Sequence, residues 1–508
     1  MLSRIDTCTV LGVDAVPVCA EVNLASGLPT FSIVGLAHGA VREGRERVTA
    51  ALANSDLELP LRRITVNLAP ADQRKGGSAF DLAIALGILL GSGQLAGDID
   101  LSDSVVLGEL GLDGSVRSVP GVLPAAMLAA QSGAKRLIVP SANDAEARMV
   151  DGMEVWSVSS LRELVVSLRS RQAPTRPHQG SRACAERVPG PDLGDVSGQL
   201  VARRALEVSA AGGHNLLLVG PPGIGKTMLA RRLPTILPEL SEAEALEVAR
   251  VRSVVGLVSM ESELERPFRA PHHTVSYAGL IGGGRPMRPG EITLAHRGVL
   301  FLDEMTEFDR RTLESLRQPL EEGTLTLSRA AGCVSLPARV VLVAAMNPCP
   351  CGYRGDGTDR CRCDDRVLDR YRARVSGPLI DRIDVRVEMG LLESLPFERL
   401  ATGESSAVVR NRVEHARQWQ KERYRDEQGT ECNAEARGEL LARIARPDSA
   451  GLTLLRAWHR DRRASARAVD RVLRVSRTIA DLEGHLLVQA RHVAEALQYR
   501  SPSVFGSD

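Results

Sequence analysis

Apolar and polar positions follow two rhythms along this chain of 508 residues. In the first third, short β-type runs such as ITVNLA, KRLIVP and GMEVWSV are separated by stretches with helical spacing, AVREGRERVTAALANS and GVLPAAMLAAQSGA. Short apolar runs between longer helical patterns are typical of α/β folds. We therefore predict an α/β domain over residues 1–168.

The rest of the chain divides into a linker and two further regions. The segment SRQAPTRPHQGSRACAERVPGPD is rich in Pro, Arg, Gly and Ser without periodicity, which predicts a linker over residues 169–192. A second α/β pattern covers residues 193–389. Residues 390–508 are rich in Ala, Arg, Leu and Glu at helical spacing, which predicts a helical domain.

Composition narrows the class of protein. An apolar fraction of 44% with 25% charged residues is ordinary for a soluble globular protein, and the net charge of +1 argues neither for nor against a polyanionic partner. No apolar stretch is long enough for a transmembrane helix, and the N-terminus lacks the pattern of a signal peptide. The nine cysteines, four of them clustered, fit a reducing compartment. We expect a cytoplasmic protein with no membrane partner.

A phosphate-binding motif stands at the start of the second α/β region. LLLVGPPGIGKTMLARRL contains G-x-x-x-x-G-K-[ST] between a β-run and a helix, which is the context that the P-loop requires. Its backbone N–H groups would hold phosphates, Lys226 would reach the β- and γ-phosphates, and Thr227 would hold Mg²⁺. The predicted nucleotide-binding residues are Gly220, Pro221, Pro222, Gly223, Ile224, Gly225, Lys226 and Thr227.

Two later strands end in polar residues that suit ATP hydrolysis. GVLFLDEM places Asp303 and Glu304 after an apolar strand. Asp303 is predicted to bind the Mg²⁺ shell, and Glu304 to act as general base toward the attacking water. VVLVAAMNPCP ends another strand at Asn347, which is predicted to orient that water.

Four cysteines follow Asn347 closely. CPCGYRGDGTDRCRC carries Cys349, Cys351, Cys361 and Cys363 as two C-x-C pairs. Four thiolates can hold a structural, tetrahedral Zn²⁺. Reduced free thiols and a redox role are the alternatives.

Together the motifs resemble one family. LVGPPGIGKT, GVLFLDE, VAAMNP, SGPLIDRIDV and SARAVDRVLRVSRTIADLEG resemble the AAA+ ATPases of the magnesium-chelatase-like YifB/ComM family, and the resemblance covers essentially the whole chain. It implies a ribosomal-S5/Lon-like α/β domain, a P-loop AAA+ doubly wound sheet with hairpin insertions, and a C-terminal helical lid. It also implies ATP, Mg²⁺ and a hexameric ring of identical chains.

The resemblance assigns roles to two arginines. Arg382 in LIDRID is similar to the arginine finger that one subunit supplies to its neighbour, and Arg467 in SARAVDRV is similar to the second sensor of the helical lid. Three further arginines lie close to Arg382 in the sequence and could share its role: Arg370, Arg372 and Arg374.

Two insertions are candidates for DNA contact. TLTLSRAAGCVSLPARVVLV predicts a β-hairpin with Arg329 near its tip, and in related ATPases this hairpin enters the ring pore. RAPHHTVSYAGLIGGGRPMRPGE resembles a second insertion of the same group; its pair His272 and His273 has no evident ligand partner for a metal. Basic tips in a ring would contact phosphates without sequence preference. The alternative is that both hairpins pack between subunits.

The first domain resembles the Lon-protease fold without its catalytic pair. In KGGSAFDLAIALGILL the nucleophile position aligns with Ala79, and Ser78 falls one residue early. The position of the catalytic lysine reads Leu123, which cannot accept a proton. We therefore predict a non-proteolytic domain in which Ser78 caps a helix and Lys75 belongs to a basic loop.

These features predict a Mg-ATP-dependent ring motor that acts on single-stranded or branched DNA. The resemblance implies helicase or branch-migration work that aids incorporation of transforming DNA. The alternatives are a metal-chelatase motor subunit, an ATP-dependent protease, and a nucleotide-gated scaffold or remodeller that binds a protein partner through residues 1–168.

Overall fold

The fold is described here from a computed structural model. The description covers residues 1–35, 39–71, 75–95, 99–174, 190–257, 265–284, 287–329, 332–355, 359–390 and 403–500. Most of the predicted linker lies outside these ranges.

The first region is a mixed β-sheet with helices on both faces. Its strands are β1 (Leu2–Leu11), β2 (Asp14–Ala25), β3 (Thr30–Val34), β4 (Arg63–Ala69), β5 (Ser104–Val106), β6 (Glu109–Leu110), β7 (Val116–Arg117), β8 (Arg136–Pro140) and β9 (Glu154–Val158). Its helices are α1 (Gly39–Asn54), α2 (Asp81–Gly91), α3 (Val122–Gln131), α4 (Asp144–Ala147) and α5 (Leu161–Ser170). Seven strands form one sheet in the order β3-β4-β2-β1-β5-β8-β9. α1, α2 and α5 pack on one face and α3 on the other.

The predicted runs of this region are observed, but its longest strands were missed. ITVNLA, KRLIVP and GMEVWSV form β4, β8 and β9, and the two helical stretches form α1 and α3. β1 and β2 make an antiparallel hairpin that closes with the pair Leu11↔Asp14. The alternation in β2 could have indicated it, because Val18, Ala20, Val22 and Leu24 are buried on one face while the residues between them are not.

Two details around the serine motif differ from expectation. Ser78 does not cap α2, because the helix begins at Asp81 after Phe80, and the Ser78 hydroxyl donates to the Glu109 carboxylate instead. Lys75 does not lie in an exposed basic loop, since its side chain is fully buried and its ammonium donates to the Pro70 carbonyl.

The second region is a parallel sheet with its own insertions. Its strands are β10 (Leu216–Val219), β11 (Phe268–Arg269), β12 (Gly282–Gly283), β13 (Arg288–Pro289), β14 (Val299–Leu302), β15 (Thr324–Arg329), β16 (Gly332–Pro337), β17 (Val341–Met346) and β18 (Val385–Glu388). The main sheet is parallel throughout, in the order β11-β14-β17-β10-β18. β12–β13 and β15–β16 are separate antiparallel hairpins, so both predicted insertions contain one.

Ten helices of the second region cover that sheet within the described residues. They are α6 (Leu200–Gly212), α7 (Lys226–Ala230), α8 (Leu233–Ile236), α9 (Glu242–Val254), α10 (Tyr277–Ile281), α11 (Glu291–Leu294), α12 (Arg310–Glu314), α13 (Arg317–Glu322), α14 (Asp365–Arg372) and α15 (Gly377–Ile380). Alternate strand residues point to opposite faces. Leu216 and Leu218 therefore join the core with α6, α7 and α8, whereas Leu217 and Val219 join the core under α9–α12, α15 and the β15–β16 hairpin.

The last region is helical and shares the core of the parallel sheet. Its helices are α16 (Ser406–Arg423), α17 (Gly438–Ile444), α18 (Ser449–Arg462), α19 (Ala466–Leu482) and α20 (Ala490–Gln498). α16, α18, α19 and α20 pack into the same core as α6 and α8. The α/β fold class with a parallel sheet and a C-terminal helical region is confirmed. Among the described helices, none combines the length and apolarity needed to cross a bilayer.

Among the described residues, contacts at the β1–β2 turn and at the start of α3 join the first region to the second. The β1–β2 turn places Val13 in the core beside Val334 and Leu336 of β16, and a Cβ on Gly12 would lie 2.4 Å from the Val334 side chain. At the start of α3, the backbone N–H of Gly121 donates to the Ser253 carbonyl at 2.9 Å. The first region is thereby fixed to the base of the β15–β16 hairpin and to the end of α9.

A buried carboxylate organises the helical region. Asp481, which is 0% exposed, accepts hydrogen bonds from Arg423 at 2.6 Å, from Arg477 at 3.1 Å and from Asn433 at 2.8 Å. Arg477 is itself only 1% exposed, so its charge depends on this partner inside the protein.

We predict that Asp481→Ala lowers the free energy of unfolding of the helical region by roughly 3–5 kcal/mol, because it leaves buried guanidinium charge without its carboxylate. Urea titration followed by tryptophan fluorescence measures this, since Trp419 and Trp458 lie in α16 and α18. The matched control is Asp461→Ala at an exposed position of α18, which should stay within about 0.5 kcal/mol. Equal midpoints for the two variants would contradict the prediction.

Candidate functional site

The candidate site lies where three parallel strands end side by side. β17 lies between β10 and β14 in the sheet. The loop after β10 leads into α7 at Lys226, the residue after β17 is Asn347, and the residue after β14 is Asp303. Because parallel strands end at the same edge of the sheet, three segments far apart in sequence meet there.

Lys226 joins two of these strand ends. Its side chain is buried, and its ammonium donates to the carbonyls of Gly220 at 2.6 Å and Pro221 at 2.9 Å and to Asn347 Oδ1 at 3.0 Å. Burial holds the pKa of Lys226 below its ordinary value, although the negative charges of Asp303 and Glu304 act to raise it. The ammonium therefore holds the loop and the Asn347 amide in one arrangement.

Thr227 and Asp303 form the second link. The Thr227 hydroxyl donates to Asp303 Oδ2 at 2.7 Å, and the backbone N–H of Glu304 donates to Asp303 Oδ1 at 3.0 Å. Hydroxyl and carboxylate oxygens are the ligand types that Mg²⁺ takes. Glu304 is exposed and its backbone is left-handed, with φ 49° and ψ 48°. A left-handed backbone is strained for a non-glycine residue, and such strain is concentrated at active sites.

The loop itself fits a phosphate group. Gly223 and Gly225 have left-handed backbones, with φ 81° and φ 96°, and a Cβ on either would meet no atom within 4 Å. The space over the loop is therefore open. Gly220 is the opposite case, because a Cβ there would lie 2.7 Å from the Met389 carbonyl oxygen. The loop is packed on its inner side and open where a ligand would enter, and Gly225 leads into the N-terminus of α7.

Arg382 lies at the opposite edge of the sheet. It precedes β18, and the Asn215 side chain, just before β10, donates to its carbonyl at 2.8 Å. A four-residue strand spans about 13 Å, and β10 separates Asn215 from the P-loop. The Arg382 guanidinium pairs with Glu321 at 2.5 Å and is 11% exposed.

Arg467 lines the same cleft as Arg382. Both line a cleft of about 1530 Å³ between the parallel sheet and the helical region, which we call the interdomain cleft, and Arg467 is exposed in it. Although burial raises the pKa of Glu321, the charges of Arg382, Arg437 and Arg467 hold it below its ordinary value. The structure thus brings the two predicted arginines together, and it does not bring them to the P-loop of their own chain.

The three neighbouring arginines differ from Arg382 in their contacts. Arg374 pairs with Glu307 at 2.8 Å, and Arg372 lies 3.9 Å from Asp369. Arg370 is exposed and has no ion pair among the described residues. None of the three lines the described part of the interdomain cleft.

The two insertions predicted to contact DNA pack on the same face of the parallel sheet. Arg329 ends β15 and pairs with Gly332 across the hairpin, as predicted, but its side chain lies outside the described part of the chain. In the other insertion, the rings of His272 and His273 lie 4.1 Å apart, and His273 meets the edge of Phe308 at 6.5 Å. No metal-ligand group among the described residues includes either histidine.

The four clustered cysteines converge. Their sulfur atoms all lie within 4.8 Å of one another, and the measured separations are 3.2 Å for Cys349–Cys351, 3.8 Å for Cys349–Cys361 and 3.7 Å for Cys351–Cys361. A tetrahedron of thiolates at Zn–S distances of about 2.3 Å has sulfur separations of about 3.8 Å. A hydrogen bond from the Tyr353 backbone N–H lowers the pKa of Cys351 to about 6, whereas burial raises the pKa of Cys349 to about 12. The set fits a metal.

A second group of potential ligands does not fit a metal. Glu483, His485 and His492 lie together, but His492 Nδ1 accepts from the Gln489 N–H at 3.0 Å, so Nε2 carries the proton that it shares with Glu483 at 3.1 Å. Arg491 pairs with the same carboxylate at 3.1 Å. Both observations describe an ion-pair network at the start of α20.

One connecting residue was missed in the sequence. The hydroxyl of Tyr371 on α14 donates to the Asn347 carbonyl at 3.2 Å and accepts from the Thr306 hydroxyl at 2.9 Å. It thus bridges the segment after β17 and the segment after β14. The apolar spacing of Leu368 and Tyr371, the buried residues of α14, is the feature that would have indicated a buried tyrosine.

Family comparisons cover all three regions. Residues 192–395 match the family model "Magnesium chelatase, subunit ChlI", residues 20–143 match "Subunit ChlI of Mg-chelatase", and residues 403–500 match "Magnesium chelatase, subunit ChlI C-terminal". The first region therefore belongs to the same family description as the parallel sheet.

Full-length relatives agree with these models. The chain is 44% identical over 504 residues to an uncharacterized protein of Mycobacterium tuberculosis, covering 98% of each chain. It is 41% identical to the uncharacterized protein YifB of Escherichia coli, over 98% of this chain and 97% of YifB. It is 42% identical to competence protein ComM of Haemophilus influenzae, over 97% of this chain and 96% of ComM. The chain belongs to the magnesium-chelatase-like family that includes YifB and ComM, as its motifs predicted.

Proposed function

We propose that this protein is a ring-forming, Mg²⁺-dependent ATPase that moves on DNA. The observation that carries the ATPase is the meeting of Lys226, Asn347, Thr227 and Asp303 at one edge of a parallel sheet, around a loop open to a phosphate. A family shared with magnesium-chelatase subunits supports it.

Each residue has a role that follows from its position. The backbone of the loop Gly220–Thr227 binds the phosphates, and Lys226 exchanges its carbonyl partners for β- and γ-phosphate oxygens. Thr227 and Asp303 hold Mg²⁺, which neutralises charge that develops on the phosphates. Glu304 accepts a proton from the attacking water, and Asn347 orients that water by its amide.

Hydrolysis is proposed to need a second chain. Arg382 and Arg467 lie across the sheet from their own P-loop, so their guanidinium groups serve the γ-phosphate of a neighbour, Arg382 as finger and Arg467 as sensor. In the separate chain, Glu321 neutralises Arg382. Arrival of a neighbour's phosphates would replace that carboxylate, which ties hydrolysis to assembly of the ring.

DNA is the proposed polymer along which the ring moves. The β15–β16 hairpin carries Arg329 at its end and is rooted in the core beneath the parallel sheet. Six such hairpins in a ring would contact successive phosphates of a single strand. The relative named competence protein ComM supports work on incoming or branched DNA, and the reaction proposed is unwinding or branch migration.

A metal-chelatase motor is the second candidate, because all three matching family models describe chelatase subunits. The two candidates share the ATPase and differ in what stimulates it. DNA stimulates the first, whereas a chelatase motor responds to its partner subunits.

A structural Zn²⁺ is proposed at Cys349, Cys351, Cys361 and Cys363. Four thiolates leave no open coordination position, so the metal would hold the loop and take no part in hydrolysis.

We predict complementation between two inactive variants. Glu304→Gln and Arg382→Ala should each lose ATPase activity, the second by roughly 10³–10⁵-fold as for other arginine fingers. In a 1:1 mixture, an Arg382→Ala P-loop meets a Glu304→Gln neighbour with an intact arginine at about one quarter of the interfaces, so about one quarter of wild-type phosphate release should return.

The matched control mixes Glu304→Gln with Lys226→Ala. Both lesions lie at the same sheet edge, so no mixed interface is intact and activity should stay absent. Equal activity in the two mixtures would contradict the assignment of Arg382 to a neighbouring site.

We predict that Arg329→Ala weakens binding of a forked DNA and reduces its ATP-dependent unwinding. Removing a charge that neutralises a phosphate should also reduce the salt dependence, by about 0.7 in log–log slope for each phosphate of a single strand that is no longer neutralised. Fluorescence anisotropy at several salt concentrations measures both effects. Arg460→Ala, an exposed arginine of α18, is the control for charge alone. Absence of DNA-stimulated ATPase in the wild type would exclude the DNA motor.

We predict about one zinc per chain in protein purified without chelators. Cys361→Ser should lose that zinc, whereas Cys333→Ser, on the β15–β16 hairpin, should keep it. Atomic absorption measures the content. Wild-type protein without stoichiometric zinc would leave the cluster as reduced thiols.

A further inference from the structure

The cysteine loop touches the P-loop directly. Gly352, between Cys351 and Tyr353, is buried against Pro222, and a Cβ at Gly352 would lie 2.9 Å from Pro222 Cδ. Gly352 has a left-handed backbone, with φ 86°, and its N–H closes a turn onto the Cys349 carbonyl at 3.0 Å. The turn made by the first C-x-C pair therefore rests against Pro222 of the phosphate-binding loop.

The same loop begins and ends at the site. It starts two residues after Asn347 and leads into α14, whose Tyr371 hydroxyl donates to the Asn347 carbonyl and accepts from Thr306. Thr306 follows Glu304 by two residues. One segment thus contacts the P-loop, the Asn347 backbone and the segment that carries Glu304.

Little apolar burial holds this loop in place. Within its described part, residues 348–355 and 359–363, only Pro348, Cys349 and Gly352 are buried. A polar, glycine-rich loop of this kind needs another constraint to keep one conformation, because ordering its backbone costs about 1–2 kcal/mol per residue. The four converging sulfur atoms supply such a constraint when a metal joins them.

We infer that the metal-bound cysteine loop is a positioning element of the nucleotide site, which sets the P-loop through Gly352 and the water-orienting Asn347 through Tyr371. This inference rests on the proposed ATPase and on the proposed Zn²⁺. On this inference the metal does more than stabilise the loop, because occupancy of the cysteine site controls affinity for ATP.

The test compares two glycine variants of the same loop. Gly352→Ala places a methyl group against Pro222, and we expect zinc to be retained while affinity for a fluorescent ATP analogue falls about tenfold. Gly355→Ala is the matched control, because Gly355 also has a left-handed backbone, with φ 77°, but a Cβ there would meet no atom within 4 Å. It should keep both zinc and wild-type affinity.

Two further measurements separate the parts of the inference. Tyr371→Phe removes the hydroxyl but not the ring, so kcat should fall several-fold while ATP affinity stays near that of the wild type. Cys361→Ser, without zinc, should lose ATP affinity at least as much as Gly352→Ala.

Three results would overturn the inference or what it rests on. Equal ATP affinity for Gly352→Ala and Gly355→Ala would show that the contact with Pro222 does not position the P-loop. Unchanged ATP affinity in zinc-free Cys361→Ser would show that the metal does not control ATP binding. Failure of the wild type to bind the ATP analogue would overturn the proposed ATPase itself, and the wild-type titration alone reports that failure.

Discussion

The buried ammonium of Lys226 is the interaction on which the arrangement of the site depends. A charge inside the protein must be compensated by oriented oxygen atoms, and here two P-loop carbonyls and the Asn347 amide provide them. The ammonium therefore fixes the distance between the ends of β10 and β17. Because β14 lies on the other side of β17, the same geometry brings Asp303 to the Thr227 hydroxyl.

A parallel sheet also keeps the residues before its strands apart from the residues after them. Residues that precede strands, such as Arg382 before β18, lie at the edge away from the P-loop. The helical region packs at that edge and brings Arg467 beside Glu321 in the interdomain cleft. The proposed chemistry is thus divided between two edges of one sheet, which is why we assign the arginines to a neighbouring chain.

The first region is joined to the second through buried contacts. Leu123 is fully buried, and its backbone N–H donates to the Glu146 carboxylate at 2.9 Å and to the Ser253 hydroxyl at 3.3 Å. The start of α3 therefore faces the end of α9. With the β1–β2 turn seated against Val334 and Leu336, the region is joined to the hairpin proposed to contact DNA.

The sequence by itself determined the elements whose cause is local: the apolar strands, the glycine loop before α7, the hairpin ending at Arg329, and the family. Local patterns could not show that Lys75 is buried, that Ser78 reaches Glu109 or that Gly352 rests on Pro222, because those partners are distant in the chain. Strand order alone placed Asn347 between Lys226 and Asp303 and put Arg382 at the far edge. Only the tertiary structure decided these points, since the order of parallel strands is set by packing across the whole sheet and not by the residues within any one strand.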